Sequence, residues 1–179
     1  MRRIAVVPIA LALSGSLLAV LPGTPASAET RSWSTPAGVV KDVKVAFGQD
    51  RVRLSMSARA PQNGGFNVGH WRLKTTGGSH PADFELVWSQ GLEPSFSHAD
   101  GSAVDCPGIR RAVGSTSVRF SIPVSCLADA EGAEPGWIRS QLDVGVEGTG
   151  PHGDFVRRHG TFPRGGGFTA PVSRGADAG

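Results

Sequence analysis

Asp42-Val43-Lys44-Val45-Ala46-Phe47-Gly48-Gln49-Asp50-Arg51-Val52-Arg53-Leu54-Ser55-Met56 decides the fold class. Val43, Val45 and Phe47 alternate with Asp42, Lys44 and Ala46; Val52, Leu54 and Met56 alternate with Arg51, Arg53 and Ser55. A period of two sends alternate side chains to opposite faces of an extended chain, so each run buries one face and wets the other. The turn-forming residues Gly48-Gln49-Asp50 between the runs close them into a β-hairpin.

The alternation recurs along the chain. Trp71, Leu73 and Thr75 alternate with His70, Arg72 and Lys74, after a turn-rich gap from Pro61 to Gly65 and before Gly77-Gly78-Ser79. Phe84, Leu86 and Trp88 share one face, and Ser95 to His98 suits a short strand before the Asp100-Gly101 turn signal. Val118, Phe120 and Ile122 alternate with serines and Arg119, and Ile138, Ser140, Leu142, Val144 and Val146 form the longest such run. Ala128 to Glu134 has room for one helical turn before Gly132 and Pro135 stop it. Several short strands between Gly, Pro and Asp turns predict an all-β, single-domain, antiparallel β-sandwich of the immunoglobulin type or a related one. That domain spans 39–173. Glu29 to Gly38 reads as a loosely held arm and 174–179 as a frayed tail. Gly148 to Gly167, rich in glycine and poor in apolar periodicity, reads as a long loop before a closing strand at Phe168, Ala170 and Val172.

The first 28 residues have a different character. Met1-Arg2-Arg3 is a basic start, Ile4 to Leu21 is mostly apolar, and Ala26-Ser27-Ala28 has the small-x-small pattern of a signal peptidase site. The expectation is a cleaved signal peptide, with the mature chain starting near Glu29 and secreted to the extracellular space. A permanent membrane anchor is the rival reading, weakened by Pro8, by Ser14-Gly15-Ser16 and by the lack of a basic stop-transfer group after Leu21. The mature segment carries no cysteine at its start for a bacterial lipid anchor.

Setting aside Arg2 and Arg3 from the 18 basic residues leaves the mature chain within about one charge of neutrality against 15 acidic ones. With no dense Lys/Arg run either, nucleic acid is a poor partner. Cys106 and Cys126 are the two cysteines of the chain. An even count in an exported protein favours a disulfide between them over two free thiols or a metal pair.

Further residues suggest kinship. Val118-Arg119-Phe120-Ser121-Ile122-Pro123-Val124-Ser125-Cys126-Leu127, followed by Gly136-Trp137-Ile138-Arg139, the early Asp42-Val43-Lys44-Val45 and the final Arg174-Gly175 resemble an uncharacterised family of small secreted actinobacterial proteins. There a Pro-x-Ser-Cys-Leu segment precedes a Trp-x-Arg strand. The resemblance implies a β-sandwich and an extracellular setting. It carries over no catalytic residues, and the region from Asn63 to Pro81 departs from it.

Catalytic signatures are sparse. The mature chain has neither a G-x-S-x-G elbow nor an H-E-x-x-H pair, and no motif implies a cofactor. The best set of metal-ligand types is Glu147, His152, Asp154 and His159, set against the plainer reading of a solvated loop. Asp100 and Asp105 lack the spacing of a calcium loop and read as a turn. Trp71 and Trp88 fall on their strands' apolar faces. Trp137 alternates with its strand's apolar face, so an exposed ring beside Arg139 is a candidate contact for a sugar or a protein, the alternative being a sheet-edge cover. His70, Arg72 and Lys74 form a local positive stripe, either a dock for an anionic partner or the ordinary outer face of a strand. The expected function is non-catalytic extracellular binding of a polysaccharide or another protein. The alternatives are a small metal-dependent hydrolase using 148–167, or a protease inhibitor presenting Pro107 to Arg111.

Overall fold

The structure, a computed structural model, describes residues 28–59, 65–77, 83–114, 116–149 and 151–175. Eleven strands are defined: β1 Glu29–Ser34, β2 Val40–Phe47, β3 Arg51–Ala58, β4 Gly65–Lys74, β5 Phe84–Ser89, β6 Ser95–His98, β7 Arg110–Val113, β8 Ser117–Pro123, β9 Trp137–Thr149, β10 Phe155–Phe162 and β11 Val172–Ser173. One 3₁₀ turn, Val124–Leu127, follows β8. One sheet runs β1-β2-β3-β8-β7 and the other β10-β9-β4-β5-β6, with β11 also paired to β9. All pairings are antiparallel.

The alternating runs put their apolar residues between the sheets. From the first come Val43, Val45, Phe47, Val52, Leu54, Met56, Val118, Phe120 and Ile122; from the second, Trp71, Leu73, Leu86, Trp88, Leu142, Val144 and Val146. Trp88 links the layers, its ring 5.4 Å from that of Phe120 and 6.2 Å from that of Trp71. Gly69 faces Trp88 across the β4–β5 pairing, and a Cβ there would sit 1.9 Å from the indole. The missing side chain is what lets the tryptophan lie flat against its own sheet. Burying side chains of this size stabilises the sandwich by roughly 1.5–3 kcal/mol each.

The all-β sandwich and its disulfide are as the sequence predicts: Cys106 and Cys126 are joined, with Cα atoms 5.4 Å apart. Four segments differ. The arm Glu29 to Gly38 contains β1, which pairs with β2 from Glu29↔Phe47 to Ser34↔Asp42. Trp33 at its far end packs on Phe162, ring centroids 5.7 Å apart. The stretch 148–167 is largely a hairpin rather than a loop, because β9 extends to Thr149 and β10 returns along it. Two ladders of backbone hydrogen bonds hold these strands where side-chain alternation gives no sign of them. The closing strand shrinks to Val172–Ser173, and the single turn of helix forms at Val124–Leu127 rather than within 128–134. Of the proposed signal peptide, 1–27 lies outside the described residues. None of the helices among the described residues is long and apolar enough to cross a membrane.

Candidate functional site: a basic sheet face

The outer face of the five-stranded sheet gathers charge that is dispersed in the sequence. Register places Lys44 (β2) opposite Ser55 (β3), and Ser55 opposite Arg119 (β8). One row along, Arg53 (β3) lies opposite Ser121 (β8), and Ser121 opposite Arg110 (β7). Lys44, Arg53 and Arg119 alternate with buried apolar neighbours on their own strands, which fixes them to the outer surface, and Arg110 joins that surface through its pairing with Ser121. Lys44, Arg53, Arg110 and Arg119 are all exposed. None of the four has an ion-pair or hydrogen-bond partner among the described residues.

The positions between them are small: Ala46, Ser55, Ala112 and Ser121, with Thr30 on β1. An open groove of about 540 Å³ results, crossing all five strands and lined by the four cations and these small residues. Arg51 borders it but is committed, donating to Ser121 Oγ at 2.6 Å and to the carbonyls of Ser121 and Gly108 at 2.7 Å. Arg111 also contributes to the groove's lining, but its guanidinium is committed to Glu93, between β5 and β6, at 2.6 Å. Asp42 lies two residues before Lys44 on β2, one row beyond it and outside the groove's lining. Hydrogen bonds from the Ser34 and Ser57 hydroxyls hold its pKa below the usual aspartate value.

The residues singled out in the sequence are placed as follows. Trp137 is half-buried at the start of β9, and the Arg139 guanidinium lies 5.6 Å from its ring centroid, a cation–π pair. The proposed ligands Glu147, His152, Asp154 and His159 do not converge. Glu147 is ion-paired to Arg157 across the hairpin, His159 lies opposite Gly145, and His152 and Asp154 sit exposed at the turn. No group of three or more His, Cys, Asp or Glu side chains that could hold a metal occurs among the described residues.

The positive stripe of β4 is neutralised by its neighbours. His70 Nε2 lies 3.0 Å from Glu85, and Arg72 reaches Glu85 and Asp143, each at 3.1 Å. Asp100 accepts from the amide and hydroxyl of Ser102, an Asx turn as expected. Arg110 and Arg111 belong to β7, so the segment offered as an inhibitory loop is exposed backbone only from Pro107 to Ile109. Ala28 lines the groove's β1 end, whereas Ala26 lies outside the described residues.

No protein-family model and no curated protein matches the chain. Among solved structures, murine CRIg is similar over 66% of this chain and 91% of that one, at 10% sequence identity and a TM-score of 0.31. A likeness that distant assigns neither a family nor a function.

Proposed function

We propose that this protein is a secreted, non-catalytic binding module of the extracellular space, and that its partner is anionic. The observation that carries this reading is the set of four unpartnered cations on the outer face of the five-stranded sheet. A solvated surface charge ordinarily finds a carboxylate nearby, as the cations of β4 do. Here Lys44, Arg53, Arg110 and Arg119 share a groove with the hydroxyls of Thr30, Ser55 and Ser121. The Cys106–Cys126 bridge suits an oxidising compartment. The N-terminal pattern ending in Ala26-Ser27-Ala28 supports export, and so does the resemblance to small secreted actinobacterial proteins.

Each exposed cation near an anionic surface contributes roughly 1 kcal/mol. Four together correspond to a dissociation constant near the millimolar, before any hydroxyl contact is added. That strength suits an extended partner with many contacts better than one small anion.

The test uses the disulfide-intact mature chain, Glu29 to Gly179. Its binding to heparin, alginate and a neutral glucan is measured by calorimetry in low and in high salt. Binding to the charged polymers that weakens with salt, with none to the glucan, is the expected result. Equal binding to the neutral glucan, or none to either charged polymer in low salt, would discard the reading.

A further inference from the structure

The arrangement of the four cations is more specific than their number. In strand order, β2, β3, β8 and β7 contribute Lys44, Arg53, Arg119 and Arg110, one each. The register alternates them between two rows, Lys44 and Arg119 in one, Arg53 and Arg110 in the other. Neighbouring strands lie about 4.8 Å apart, and residues two apart on a strand are separated by about 6.8 Å. The cations therefore form a zigzag perpendicular to the strands, advancing by about one strand spacing per charge over roughly 14 Å. Serines 55 and 121 fill the alternate corners, so every cation has a hydroxyl beside it on the adjoining strand.

Aromatic rings are absent from this zigzag. Phe120, which touches the groove, is buried with its ring in the core, 5.4 Å from that of Trp88. Single-stranded nucleic acids bind through stacking platforms interleaved with basic residues; among the described residues no ring lies between these cations, and Trp33, at the β1 edge, is packed on Phe162. A linear glycan bearing one acid per sugar presents its acids at regular intervals along its axis, with hydroxyls between them.

Resting on the anionic-partner reading, we infer that the ligand is a linear acidic polysaccharide, carrying carboxylates or sulfates, that lies across the strands from β2 to β7. Its acids pair with Lys44, Arg53, Arg119 and Arg110 in turn. Ser55 and Ser121 meet sugar hydroxyls between them. The groove continues past Lys44 to Thr30, so the chain's exit is open at that edge.

Uronic acid oligomers of increasing length, from dimer to octamer, separate this proposal from the broader one. Affinity is expected to climb steeply to the tetramer, which spans the zigzag, and then to level off. Lys44→Gln, Arg53→Gln, Arg110→Gln and Arg119→Gln should each weaken the tetramer by about fivefold, roughly 1 kcal/mol. Arg158→Gln, exposed on β10 of the other sheet, should change nothing. A spin label on the tetramer's reducing end should broaden amides at one lateral edge, β1 or β7. Broadening at the Gly48–Asp50 turn, or a gain in affinity with length that continues unchanged to the octamer, overturns the crosswise path while leaving an anionic partner in place. Tighter binding of a thymidine oligonucleotide of equal charge would overturn the polysaccharide assignment. Loss of all polyanion binding would remove both readings.

Discussion

Lys44 and Arg119 occupy one transverse row of the five-stranded sheet, with Ser55 alone between them. Two like charges two strand spacings apart, ~10 Å, repel by about 0.4 kcal/mol in a water-like dielectric. The free protein therefore carries a small electrostatic cost on this face. Arg119→Gln is expected to leave stability unchanged or raise it by a few tenths of a kcal/mol in low salt. The difference should shrink as salt rises, because the Debye length falls to about 10 Å at 0.1 M. Denaturant melts at two ionic strengths check this. A loss above about 1 kcal/mol would mean that Arg119 has a structural role the fold does not indicate.

Gly69 is the position where the core has no room. A Cβ there would meet three atoms of the Trp88 indole, all within 2.4 Å. Trp88 is itself held between Trp71 and Phe120, so it cannot move aside without disturbing both sheets. Gly69→Ala should cost about 1–3 kcal/mol or more, the range of overpacked cores. Gly77→Ala, where nothing among the described residues lies within 4 Å, is the control and should be near neutral. Matched thermal melts of the two variants decide it; equal stabilities would contradict the packing described.

The interior strands were legible in sequence because each buries one face: β2, β3, β5 and β8 all show the alternating pattern that the core requires. Of the edge strands, β6 was read at Ser95 to His98, whereas β1, β7 and β10 were not. In β7 and β10 nearly every residue is solvent-facing, so their pairing rests on backbone hydrogen bonds that leave no mark on composition. The same physics hid the candidate site. Lys44, Arg53, Arg110 and Arg119 are scattered over two-fifths of the chain, and only the strand order β2-β3-β8-β7 makes them neighbours. His70, Arg72 and Lys74 are adjacent in sequence and so looked like a patch. Glu85 and Asp143, brought alongside by β5 and β9, cancel Arg72. Local charge thus predicted the surface poorly in both directions.

The disulfide secures the edge that carries Arg110. Cys106 lies four residues before β7 and Cys126 in the 3₁₀ turn after β8, 20 positions apart in sequence. Closing a loop of that size stabilises the fold by about 3 kcal/mol in the chain-entropy model. Paired Cys106→Ser and Cys126→Ser substitutions should lower the unfolding free energy by that order. They should also weaken polyanion binding more than stability alone requires, since among the described residues β7 pairs with β8 alone. Hydrogen exchange should show earlier loss of protection in Arg110–Val113 than in β3. Unchanged exchange there would separate the bridge from the binding face.

Asp83 gives the fold a pH dependence with a definite sign. Burial by itself would raise its pKa, but four donors outweigh it: the Thr75 amide at 2.5 Å and hydroxyl at 2.9 Å, and the Thr76 amide at 2.7 Å and hydroxyl at 3.1 Å. The net shift is downward from the usual 3.8. A carboxyl with a lower pKa in the folded state binds protons more readily when unfolded, so its contribution is complete above 3.8. That contribution fades as pH falls below this value and is gone once pH passes beneath the folded-state pKa. Asp83→Ala strips the partner from two backbone amides and should cost about 1–2 kcal/mol at neutral pH, allowing for partial solvent access. The variant's stability should also decline less than the wild type's between neutral pH and pH values below 3.8, because one of the groups driving acid unfolding has been removed. Urea melts across that range test both statements, and parallel acid profiles for the two proteins would show that the Thr75–Thr76 donors do not act through Asp83.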